Sequence, residues 1–224
     1  VFATSALSLP EEEEAWNGNL SSITDLGSNT WTRLIYANDQ YNYFYAGAND
    51  EGNYYINLTT STNGVDGTWS EDNWVTDSPI RPSVDMGDSF PIFDIQYNAS
   101  SSYFGMTYYV SSTGAMVFTT STNGATWGPT NTIYTYDGAE GEEWVIGMDY
   151  LEGTDYIAIT YEFDKVALSS DAGANWSFAT MSAINSSTDD LMTVNVTAGP
   201  ILHTAYNAEG TFVYASSTNN GDAW

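Results

Sequence analysis

The chain has 224 residues, 42% of them hydrophobic and 15% aromatic, enough to close the packed core of one all-β domain. Three Lys and Arg stand against 29 Asp and Glu, a formal net charge of -26 that repels nucleic acid phosphates and anionic membrane surfaces alike. The lack of Cys excludes disulfides, thiolate metal sites and a cysteine nucleophile, and no run of about eighteen apolar residues is present to span a bilayer.

The first residues, Val1 to Ala6, carry no initiator Met and resemble the tail of a secretory signal, small residues before a cleavage point; a fragment boundary reads equally well. A secreted or cell-surface protein is the expectation, and the acidic excess suits such a setting. Glu11 to Glu14 make a solvated leader, so residues 1–15 are set ahead of the fold. Residues 16–24 are strand-like and are expected to form an additional outer strand.

An internal repeat organises the rest. The hexapeptide Thr-Thr-Ser-Thr-Asn-Gly ends at Gly64 and again at Gly124, and each copy runs on to a tryptophan, Trp69 and Trp127. Two further copies read Ser169-x-Asp171-x-Gly173-x-x-Trp176 and Ser217-x-Asn219-x-Gly221-x-x-Trp224. The tryptophans are spaced by 58, 49 and 48 residues, the period of a propeller blade or a similar stacked unit.

Each unit reads strand, turn, strand, turn, strand, Trp-marked turn, strand. In the second unit the strands are expected at Pro91 to Tyr97, Tyr103 to Val110, Ala115 to Thr120 and Thr130 to Tyr136. In the third they are expected at Glu143 to Leu151, Asp155 to Phe163, Lys165 to Ser170 and Ser177 to Ala183. Tyr, Val, Ile, Phe and Thr dominate these segments, and Asn, Gly and Ser punctuate them. The fold class is therefore all-β, a propeller of four-stranded antiparallel blades over residues 16–224, with about four blades at 31–78, 90–137, 143–185 and 190–224. Because Trp224 stands where the last blade's fourth strand would begin, two arrangements are open: a ring closed by residues 16–24, or an incomplete arc. The arc is favoured, since Trp16 would duplicate Trp224 in one blade.

In the turn before each tryptophan, a Ser, Thr, Asp or Asn side chain accepts backbone N–H groups, Gly takes a positive φ, and the indole caps the apolar gap between sheets. The pattern resembles the Asp box of sialidases, or bacterial neuraminidase repeat, Ser-x-Asp-x-Gly-x-x-Trp. Ser169 to Trp176 matches in full; Asn219 replaces Asp in the last copy. Aligned on the glycine, the first two copies place Thr62 and Thr122 at the Asp position, with Asn63 and Asn123 beside them. The resemblance implies a β-propeller whose boxes are structural and lie away from the ligand face. It also implies a test for sialidase activity: three arginines on the substrate carboxylate, a Tyr and Glu nucleophile pair, and an Asp acid/base. Only Arg33 and Arg81 are present. Arg33 lacks the proline that follows the family's Arg-Ile, and Arg81 lies out of order, so a surface or blade-linking salt bridge is expected for both.

No other catalytic set stands out. His203 is the sole histidine and is expected to face a neighbouring blade. Tyr161 and Glu162 are adjacent on a strand and point to opposite faces. On the face opposite the boxes, the turns and connections collect Asp50, Glu51, Asp77, Asp85, Asp88, Asp137, Glu140, Glu142, Glu143, Asp189, Asp190 and Glu209, whereas the box side offers chiefly Asp39 and Glu152. An acidic ligand face suits a hard cation such as Ca²⁺, or a cationic protein surface, and a neutral glycan over an anionic one. A solvated surface explains the same residues without a ligand. The functional expectation is a binding or structural module without a catalytic set; the alternative is a sialidase-like propeller glycoside hydrolase.

Overall fold

The computed structural model describes residues 32–48, 54–63, 73–74, 93–110, 113–135, 147–161, 164–181, 189–197, 201–208 and 211–224. They form four antiparallel sheets, each wound in chain order. The first holds β1 (Thr32–Ala37), β2 (Gln40–Ala48), β3 (Tyr54–Ser61) and β4 (Asn73–Trp74). The second holds β5 (Phe93–Asn98), β6 (Tyr103–Val110), β7 (Ala115–Ser121) and β8 (Asn131–Thr135). The third holds β9 (Gly147–Tyr150), β10 (Ile157–Tyr161), β11 (Lys165–Ser169) and β12 (Ser177–Thr180), and the fourth β13 (Asp189–Thr197), β14 (Ile201–Ala208) and β15 (Thr211–Ser217). No helix among the described residues is long and apolar enough to cross a membrane.

Burial explains why the middle strands lack a period-two pattern. All five residues of β10, Ile-Ala-Ile-Thr-Tyr, are buried, as are the first five of β7, because these strands are covered on both faces by neighbouring sheets. The outer β12 is largely exposed. Three apolar layers lie between successive sheets. Phe44, Ile56 and Leu58 pack on Ile95, Phe104 and Met106; Phe118 and Ile133 pack on Met148, Ile157 and Ile159; Val166 and Leu168 pack on Val196 and Leu202. The innermost strands also touch in series, β1 to β5, β5 to β9 and β9 to β13, which brings residues far apart in sequence to one axis.

Local chemistry sets the strand ends. Asn38 and Asp39, both at positive φ (55° and 58°), make the two-residue turn between β1 and β2, where Ala37 pairs with Gln40. The strand expected from Asp155 starts two residues later, at Ile157, because Thr154 folds back on Leu151, its N–H donating to the Leu151 carbonyl at 3.1 Å. Residues 1–31, including the strand expected at 16–24, lie outside the described residues, so neither ring closure nor the arc is decided there.

Candidate functional site

The box turns are one polar constellation, beside ties between sheets such as Asn98 Nδ2–H to the Thr154 carbonyl at 2.8 Å and Ser101 Oγ–H to Asp155 Oδ1 at 2.6 Å. In the third sheet Ser169 Oγ accepts the Gly173 N–H at 2.9 Å and donates to Asp171 Oδ1 at 2.8 Å. Asp171 Oδ1 accepts the Asn175 N–H at 2.9 Å, Oδ2 accepts the Asn175 side-chain N–H at 2.7 Å, and the Trp176 indole N–H donates to the Gly173 carbonyl at 3.1 Å. These bonds, that of the Asn175 side chain foremost, hold the exposed Asp171 carboxyl below the usual range. Ser217, Asn219, Gly221 and Trp224 repeat the arrangement: Gly221 N–H to Ser217 Oγ is 2.9 Å, Ala223 N–H to Asn219 Oδ1 is 3.0 Å, and the indole N–H to Gly221 O is 3.0 Å.

The second copy corrects the alignment made on glycine. Asn123, not Thr122, does the work of Asp171: its Oδ1 accepts the N–H groups of Ala125 (2.9 Å) and Thr126 (2.8 Å), while Ser121 Oγ accepts the Gly124 N–H at 2.9 Å. This copy is one residue shorter. Ala172 and Asn220 precede their glycines at positive φ, whereas in the second copy Gly124 follows Asn123 directly. Ser61 and Asn63 begin the first copy in the same way, with Ser61 Oγ 3.2 Å from Asn63 Oδ1. Gly64 and Trp69 lie outside the described residues.

In the second, third and fourth boxes the indole and the glycine lean on the preceding sheet. Trp127 meets Phe44 edge to face and Trp176 meets Phe118 likewise, with ring centroids 6.4 Å and 5.5 Å apart. A shallow cleft of about 300 Å³ between the third and fourth boxes is lined by Tyr156, Asp171, Trp176 and Asn220 among others. Its carboxylate is already saturated by the turn, and it lies at the lower limit of ligand-pocket sizes.

The second constellation lies on the innermost strands. Asp94 of β5 is buried; its Oδ1 accepts Arg33 Nε–H of β1 at 2.6 Å and its own neighbour Ile95 N–H at 2.8 Å, and its Oδ2 accepts Met148 N–H of β9 at 2.8 Å. Asp149 of β9 reaches onward, its Oδ2 accepting Val196 N–H of β13 at 2.8 Å. Burial pushes the proton affinity of Asp94 up, opposed by Arg33 and the two amides. Burial also raises Asp149, opposed by the Val196 and Tyr150 amides and reinforced by the charge on Asp94. The result is two carboxyls on adjacent inner strands, each with its proton affinity raised chiefly by burial, and one guanidinium at the edge. The sequence marks Arg33 as a sheet-linking ion pair, which it is, but nothing in it singles out Asp94 or Asp149 among 29 acidic residues.

The remaining candidates are dispersed or undescribed. Asp50, Glu51, Asp77, Asp85, Asp88, Asp137, Glu140, Glu142, Glu143, Glu209, Arg81 and Glu162 lie outside the described residues, and Asp189 and Asp190 enter only as backbone of β13. Among the described residues no group of three or more His, Cys, Asp and Glu side chains is placed to hold a metal ion. His203 does not face the third sheet: Leu202 and Thr204, which flank it, are buried there, and His203 turns the other way, its ring nitrogens at 2.8 Å from Thr197 Oγ1 and 2.5 Å from Tyr214 Oη.

No family model matches the chain, and no curated protein matches its sequence. Solved structures do share its architecture. The α-L-arabinanase of Penicillium chrysogenum, complexed with arabinobiose, is similar at a TM-score of 0.56 and 9% identity over 84% of this chain and 57% of that one. The GH93 α-L-arabinofuranosidase of Fusarium graminearum, also with arabinobiose, is similar at 0.53 and 10% identity, over 84% and 57%. A GH130-family structure, from work on glycoside hydrolases that target β-1,2-mannosidic linkages in Candida mannan, is similar at 0.51 and 15% identity, over 86% and 67%. The chain thus spans a little over half the length of the first two. The four sheets are a β-propeller of the kind found in glycoside hydrolases.

Proposed function

We propose that the chain is a carbohydrate-active propeller of the glycoside hydrolase type, acting on a neutral glycan, with Asp94 and Asp149 as its acid/base carboxyls. One observation carries this: Asp94, buried, and Asp149, partly buried, stand on neighbouring innermost strands, burial raises the proton affinity of both, and the charge on Asp94 raises that of Asp149 further. Glycoside hydrolysis needs such a pair, one carboxyl protonated and one ionised, and mutual repulsion in a buried setting separates their proton affinities. The net charge of -26 favours a neutral substrate over an acidic one. The tryptophan turns support the narrower reading of an Asp-box propeller with structural boxes, and secretion or cell-surface display accords with the acidic surface. A panel of aryl α-L-arabinofuranosides, aryl β-mannosides, arabinan and mannan oligosaccharides tests the activity. Turnover lost in Asp149→Asn, with fold retained, supports it.

A second reading is a non-catalytic glycan-binding module, and the saturation of Asp94 favours it: both oxygens already hold donors, as a structural tie would. Binding of the same oligosaccharides in calorimetry with no turnover by the parent chain would select this reading.

A further inference from the structure

We infer that Asn175 is a site of N-linked glycosylation, carrying the first sugar of an oligosaccharide beside the third box, and this rests on the reading of a secreted or cell-surface chain. The sequence contains six Asn-x-Ser/Thr sequons, at Asn19, Asn57, Asn98, Asn175, Asn185 and Asn195. A chain so rich in Asn, Ser and Thr generates sequons by chance, and the fold separates those able to hold a sugar from those that are not. Asn19 and Asn185 lie outside the described residues, and Asn57 and Asn195 enter only as backbone of β3 and β13. The side chains of Asn98 and Asn175 are both described.

The chemistry of the linkage decides between them. The asparagine displaces the diphosphate of a polyprenyl-linked oligosaccharide: a bond forms from Nδ2 to C1 of the first sugar, the bond from C1 to the diphosphate breaks, and one Nδ2 proton leaves. The modified amide keeps a single N–H. Asn98 is 3% exposed and spends its Nδ2 on two acceptors of the third sheet, the Thr154 carbonyl at 2.8 Å and Asp155 Oδ1 at 3.3 Å. A sugar there would cut the tie between the second and third sheets. Asn175 is exposed, and its Nδ2 donates once, to Asp171 Oδ2 at 2.7 Å. It can carry a sugar in place of its other hydrogen and still close the box. Ser177, which completes the sequon, is also exposed, at the start of β12. The shallow cleft of about 300 Å³ reaches this asparagine and sets Tyr156, Trp176 and Asn220 beside it. One sugar ring fits that space, its apolar face against aromatic carbon and its hydroxyls beside the Asn220 amide.

The full chain, expressed behind a secretory signal in a eukaryotic host, provides the test. Enzymatic release of N-glycans in heavy-oxygen water marks each formerly occupied asparagine as labelled Asp in peptide mass spectra. The label is expected at position 175 and not at 98, in chain shown to be folded by circular dichroism. Ser177→Ala, which leaves the hydrogen bonds of the third box in place, abolishes the label at 175, and Ser177→Thr restores it. Asn175→Gln removes the same glycan from the intact mass. Asn175 bare in chain that has entered the secretory compartment, whether recovered from the medium or retained in the cells, would overturn the proposal, as would a sugar on Asn98 of the folded chain. Occupancy and export are separate readouts: a chain retained in the cells with Asn175 occupied supports the modification and counts against the surface reading alone.

Discussion

Asp94 holds Arg33 of the first sheet through Oδ1 and the Met148 amide of the third through Oδ2, at 2.6 Å and 2.8 Å, so one carboxylate ties three successive sheets. Asp149 continues the line to Val196 of the fourth. The innermost strands have an open edge of N–H groups, and in this fold aspartates from the neighbouring strand satisfy part of it.

Removing that tie should be costly. Asp94→Ala leaves the Met148 and Ile95 amides without an acceptor and Arg33 without its partner, and is expected to lower the unfolding free energy by about 3 to 5 kcal/mol. The value should fall toward the lower end, because the Arg33 side chain keeps 34% of its surface in water. Arg33→Met should cost less, since Asp94 can retain a proton and keep both amide bonds. Urea denaturation midpoints of the three proteins measure the order.

Acidity should act on the two carboxyl sites in opposite directions. Asp94 and Asp149 bind protons more tightly folded than unfolded, so their ionisation opposes folding. Their contribution is fully present below the ordinary Asp value of about 3.9 and is lost as pH rises through the raised folded value. Lowering the pH from 7 toward 4 should therefore stabilise the parent relative to Asp149→Asn. Asp171 has a lowered folded value, so its contribution is present above about 3.9 and disappears as pH falls through the lowered one. Below pH 4 the parent should lose ground to Asp171→Asn. Thermal melting of the three proteins across this range gives both signs, and parallel curves would refute the assignment.

Two glycines at positive φ separate backbone strain from packing. At Gly153 (φ +78°) an added methyl group would have nothing within 4 Å, so Gly153→Ala should cost only about 1 to 2 kcal/mol of left-handed strain. At Gly173 (φ +86°) the same methyl group would collide with the Phe118 ring and displace it from beneath Trp176. Gly173→Ala should cost at least about 2 kcal/mol more, through overpacking between sheets. Equal melting temperatures for the two variants would mean that the box glycine is chosen for φ alone.

The realigned second box has its own contrast. Asn123→Ala removes the acceptor of two turn amides and is expected to cost about 1 to 2 kcal/mol, as loss of a helix cap does. Thr122→Ala, at an exposed side chain, should stay within about 0.5 kcal/mol. A reversed order in denaturant titrations would restore the alignment on glycine.

The sequence by itself determines the strands and turns, because these depend on neighbours along the chain. Tyr103–Val110 is found at its expected limits, and Ala115–Ser121 and Asn131–Thr135 within one residue of theirs. Turn chemistry at Asn38, Gly114 and Gly124 is equally local. The second box misaligns for a physical reason: glycine is the more visible residue, but the turn is defined by which side-chain oxygen reaches the amides, and a one-residue deletion shifts that role to Asn123. Asp94 and Asp149 cannot be told from the other acidic residues by sequence, since what distinguishes them is burial beside another sheet's edge amides, 54 and 47 residues away.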